Sequence, residues 1–111
     1  MDKRDILMEQ INKLISGHLT FNDFTKNFWS YFVTEVRSKD LTENDYDFFA
    51  EIQETFDWTV ENPSDEERGY GYLDWQQFIE FVKQVTEFYR KNSKLDNKDA
   101  SKIKSAILKE S

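Results

Sequence analysis

The sequence predicts an all-α protein: an antiparallel four-helix bundle with a short additional C-terminal helix. Three observations predict it. Apolar residues recur at helical spacing in four long stretches. Turn formers are scarce, with three Gly and one Pro in 111 residues, too few for a many-stranded sandwich or barrel. The segments between the first four stretches are short, and short connections favour antiparallel neighbours.

The elements follow in order. Ile6, Leu7, Ile11, Leu14 and Ile15 define a first helix over 3–16, stopped by Gly17. Thr20-Phe-Asn-Asp23 reads as a capping box with Asp in place of Glu. Phe21, Phe24, Phe28, Tyr31, Phe32 and Val36 then form the stripe of a second helix over 21–37. Thr42-Glu-Asn-Asp45 repeats the capping pattern. Phe49, Ile52, Phe56 and Val60 carry a third helix over 43–61, ended by Asn62-Pro63. The stretch 62–72, with one Pro, two Gly and several acids, reads as a loop. Asp74 and Gln77 cap a fourth helix over 75–91, with Trp75, Phe78, Ile79, Val82, Val85 and Tyr89 on one line. Asn97 is the expected cap of the short last helix, carrying Ala100, Ile103 and Ile107.

A chain this long is one domain by size. Residues 1–92 form the bundle, and 93–111 a basic helix or tail of the same domain, read as a solvated helix end. With ten Phe, five Tyr and three Trp, the core is expected to hold few, large side chains.

Composition removes several chemistries. There is no Cys, hence no disulfide, no Cys-ligated zinc and no thiol catalysis. The lone His18 leaves no His cluster for a metal, and its place after Gly17 reads as a cap or surface position. Asp45-Tyr-Asp47 lacks the Gly of a calcium loop. No cofactor, no metal and no catalytic residue are therefore expected. No apolar run approaches the ~20 residues of a membrane span, and the first ten residues are too charged for a signal peptide. A reducing cytoplasm is the expected compartment, and a monomer the expected state.

The net charge is -7, which disfavours direct contact with nucleic acid and favours a basic partner. The charge is unevenly distributed. Eleven acids and no Lys or Arg lie between Asp40 and Glu67. On a continuous helix over 43–61, Glu43, Asp47, Glu51, Glu54, Asp57 and Glu61 share one arc of roughly 120°, opposite Phe49, Ile52 and Phe56. Their spacings of three and four make neighbours of like charges, each pair opposing the helix by ~0.2–0.5 kcal/mol. Trp58 falls inside that arc, exposed and away from the core, as interface hot spots often are. Asp65, Glu66 and Glu67 extend the acidic surface, and Tyr70 or Tyr72 of the Gly69-Tyr-Gly-Tyr72 stretch adds an aromatic anchor.

Leu14-Ile-Ser-Gly17, Leu19-Thr-Phe-Asn-Asp-Phe24 and the aromatic second helix carry a family resemblance. So do Asp45-Tyr-Asp-Phe-Phe49, the following run to Phe56-Asp57, and Tyr72-Leu-Asp74. Over residues 6–90 the chain resembles the colicin-D-type immunity proteins, including those of contact-dependent growth inhibition systems. The resemblance implies an all-helical protein that binds a cognate toxin domain, often an RNase cutting tRNA, and blocks its active site. The segment after Arg90 departs from the shorter family members. The residues lead the same way by a separate route, since an RNase presents a basic cleft. The expected partner is therefore a basic toxin domain, contacted by the twelve acidic and aromatic residues from Glu43 to Tyr72 named above. The alternative is an acidic adaptor or DNA mimic that occupies a nucleic-acid-binding protein.

Overall fold

The computed structural model describes residues 2–110. It is all-helical. The helices are α1 (Lys3–Ile15), α2 (Phe21–Thr34), α3 (Glu43–Thr55), α4 (Asp65–Gly69), α5 (Trp75–Asn92) and α6 (Asn97–Lys109). Short 3-10 turns cover Ser38–Asp40 and Phe56–Trp58. The radius of gyration is 13.6 Å.

Side-chain caps start each helix. Asp2, Thr20, Thr42, Ser64, Asp74 and Asp96 each accept a hydrogen bond from the amide three residues on. Gly17 ends α1 as expected: its φ of +83° lets the His18 amide reach back to the Lys13 carbonyl. Ser16 Oγ and His18 Nδ1 lie 2.6 Å apart beside that turn, so His18 belongs to the helix end.

α5 is the central element, packed on α1, α3 and α6, while α1 also packs on α2. Phe24, Phe28, Phe48, Phe49, Phe78 and Phe81 are fully buried. Large rings bridge α2 and α3: Phe28 lies 6.2 Å from Phe49, and Phe32 lies 5.3 Å from Tyr46. Asp45, 9% exposed, accepts from the Tyr89 hydroxyl and pairs with Arg4 Nε at 3.2 Å. Thr42 accepts the Asp45 amide, and the Asp45 carboxylate ties the start of α3 to α5 and α1.

Four expectations need correction. The second helix ends at Thr34, because residues 35–37 turn into the 3-10 segment that Asp40 caps through the Arg37 amide. The third helix ends at Thr55, not at 61. Glu51 and Glu54 crowd its last turn with negative charge and no base offsets them, which opposes the helix dipole. Thr59 then turns extended and forms an isolated parallel bridge with Leu73. The stretch read as a loop holds α4, whose capping box is Ser64 and Glu67. The last helix is capped by Asp96 and has 13 residues, as many as α1, so it is not short. Nor is it a solvated end: Leu95, Ala100 and Ile107 are buried in the common core.

Candidate functional site

The early end of α3 rearranges the acidic face. Glu43, Asp47, Glu51 and Glu54 share one side of α3, spaced four, four and three. Asp57 lies in the 3-10 turn, and Glu61 follows the bridge. Glu43, Asp47, Glu54, Asp57 and Glu61 are exposed. Among the described residues, no base lies within ion-pair distance of any of the five.

Other acids of the run have local roles. Asp40 pairs with Lys3 at 2.9 Å, and that bond together with the Arg37 amide holds its carboxyl below the usual range. Asp45 is buried as described. Asp65, Glu66 and Glu67 fill the first turn of α4, where the helix dipole favours them, and Glu67 accepts from the Ser64 amide at 3.0 Å. The fold thus brings Lys3 and Arg4 of α1 to Asp40 and Asp45.

Trp58 lies at the end of this face, but not alone in solvent. The Leu73 amide donates to the Trp58 carbonyl at 2.8 Å, which sets Tyr72 beside the indole. The two rings lie 5.3 Å apart. Lys104 of α6 covers another side, with Nζ 4.8 Å from the ring centroid. Trp58 remains 43% exposed, and Tyr70, the residue that closes α4, 69%. The indole is exposed, and the extended pairing and α6 supply it with two neighbours that helical spacing does not announce.

The face also meets α6 at Glu51. This carboxylate is partly buried and accepts from Asn97 Nδ2 at 3.2 Å. Burial pushes the Glu51 carboxyl up, the Asn97 bond opposes this, and Glu54, Asp47 and Asp96 add repulsion. A raised value means the fold binds the Glu51 proton more tightly than the unfolded chain does. The resulting stability is fully present below the ordinary glutamate range and is lost as pH rises through the raised value. Glu51→Gln keeps the acceptor for Asn97 and removes the charge. At pH 7 it should stabilise the fold by about 0.5–1 kcal/mol, by removing the burial cost of the charge and by relieving Glu54 and Asp47. The gain should vanish near pH 4. Urea unfolding at both pH values checks this. A variant no more stable at pH 7, or equally favoured at pH 4, would contradict it.

Lys104 and Asn97 were not among the residues expected at this site. The signal was available: Ala100, Ile103 and Ile107 at helical spacing require a packed face, so their neighbours must border another element. What the spacing does not reveal is that α6 packs on α5 and that its edge meets α3 through Asn97 and Glu51. Among the described residues, no group of three or more His, Cys, Asp or Glu is arranged to hold a metal ion. No helix of the described residues is long and apolar enough to cross a membrane. The chain matches no protein-family model, no curated protein and no solved structure.

Proposed function

We propose that this chain is an immunity protein that binds a basic toxin domain and covers its active-site cleft. One observation carries the reading. A rigid helix face presents Glu43, Asp47, Glu51 and Glu54, continues through Asp57, and ends at the Trp58–Tyr72 ring pair, with no base pairing its exposed acids among the described residues. Leaving such a face uncompensated costs helix stability. A partner with a basic cleft recovers that cost on binding, and the carboxylates stand in for the phosphates of its substrate.

In this reading α1, α2, α3 and α5 form the antiparallel bundle that mounts the face. Opposite charge steers encounter, and the aromatic end supplies contact area that charge alone does not. The toxin is a nuclease, most simply one cutting tRNA. The protein acts as a monomer in the cytoplasm by occupying the cleft, with no catalytic step, metal or cofactor of its own and no contact with nucleic acid.

Capture of partners from a lysate of the source organism, with identification by mass spectrometry, tests the reading when followed by an RNA-cleavage assay. The expected result is a basic protein whose cleavage of RNA stops at one equivalent of this chain. A captured partner that cleaves nothing, or that cleaves equally well when saturated, would overturn it.

A further inference from the structure

A cleft separates α3 from α6. At one end is a cavity of about 190 Å³ whose lining includes Glu51, Glu54 and Trp58 on one side and Lys104 on the other, with Phe81 beneath. A second hollow, of about 280 Å³, continues from Glu51 and Glu54 past Asp47 and Asp96. The two adjoin at Glu51, Glu54 and Asn97, which line both.

The charges in the cleft are incompletely matched. The Lys104 ammonium sits over the Trp58 ring, 4.8 Å from its centroid. Burial pushes the Lys104 amine down, yet no carboxylate of the described residues lies within ion-pair distance of it. Lys104 is partly buried, and the Trp58 ring face is what its ammonium meets in place of a carboxylate. The Glu51 carboxylate is partly buried too, and among the described residues its polar partner is the Asn97 amide. Both signs of charge line one cavity without closing an ion pair. The ring, the two glutamates and the space between them suit a cation with more donors and a flatter shape than an ammonium. A guanidinium has five N–H donors and stacks on indole.

We propose that this cavity is a socket for an arginine side chain of the partner, and that Lys104 holds its place in the free protein. The proposal rests on reading the chain as the binder of a basic protein. The incoming guanidinium stacks on Trp58 and donates to Glu51 and Glu54. Lys104, on a flexible stem, swings out and regains its water.

The test needs no toxin. The probe is N-acetyl-arginine amide, with N-acetyl-citrulline amide as its uncharged isostere. The readout is the Trp58 indole N–H resonance, identified with Trp58→Phe. Lys104→Met empties the socket and keeps the aliphatic stem. It should bind the arginine probe saturably and at least about threefold more tightly than the wild type does, the order of one cation–ring contact. The citrulline probe should give no saturable shift. Adding Glu51→Gln and Glu54→Gln should weaken arginine binding at least about threefold. Lys104→Gln serves as a second neutral variant and should behave as Lys104→Met. Absence of an arginine-specific shift in folded Lys104 variants, or indifference to loss of both glutamates, overturns the proposal. Unfolding of both variants also overturns it, because Lys104 would then be part of the core. If arginine binds and no toxin is captured, the functional reading fails alone. If a toxin is captured and no probe binds, the socket fails alone.

Discussion

Phe28→Ala is expected to lower the stability of the fold by about 3–5 kcal/mol. Phe28 is fully buried, and its ring meets those of Phe24 at 5.1 Å, Phe32 at 5.9 Å, Phe49 at 6.2 Å and Phe56 at 5.9 Å. These rings come from α2, α3 and the 3-10 turn, so one side chain fastens the helix that carries the acidic face. Truncation removes the buried ring and leaves a cavity that four rigid aromatics fill poorly. Small domains have only ~5–15 kcal/mol to lose. Urea unfolding of Phe28→Ala beside Trp29→Ala checks the claim. Trp29 is the next residue but points outward and is 50% exposed, so its truncation should cost less than ~1 kcal/mol. Equal losses would show that the α2 stripe has been placed on the wrong face.

The elements governed by local chemistry were legible in the sequence. α1 and α5 begin and end within a residue or so of their expected bounds, because a side-chain cap and a continuous apolar line mark each. The α2 stripe is core, as Phe24, Phe28 and Phe32 show. What the sequence hid depends on contacts between distant segments. Phe56 and Val60 continue the apolar spacing of α3, so the apolar line does not stop the helix at Thr55, and the uncompensated acids of its last turn only weaken it there. The bridge from Thr59 to Leu73 competes with it, and its partner lies beyond α4. Asp45 reads as half of a capping box, yet its carboxylate turns to Tyr89 and Arg4, which no local spacing announces. Of the candidate site, the acids of α3 were visible as an uncompensated run. The cleft they share with α6 was not, since Asn97 and Lys104 lie far along the chain and read as a solvated tail.

Reversal of Asp47, Glu54 and Asp57 to lysine should slow capture of the basic partner roughly 10- to 100-fold at low salt. All three are exposed, none takes part in an ion pair among the described residues, and none caps a helix. Glu51 is left in place because it accepts from Asn97, and Asp45 because it is buried in its pair with Arg4. The fold should be unharmed or slightly firmer. Like-charge neighbours on α3 are relieved, and lysine near the end of that helix suits its dipole. Dissociation should change less than association, because charges that act before contact set the encounter rate. Salt gives an independent handle. The Debye length shortens to ~10 Å at 0.1 M, so wild-type association should fall with salt while the variant's should not. Net charge alone must be separated from position. Glu35, Glu87 and Glu110 are also exposed, at the end of α2, on α5 and at the end of α6. Reversing these three changes the total charge equally. Stopped-flow association should show them close to the wild type. If both triple variants are slowed alike, overall charge does the steering and the α3 face is not the docking surface.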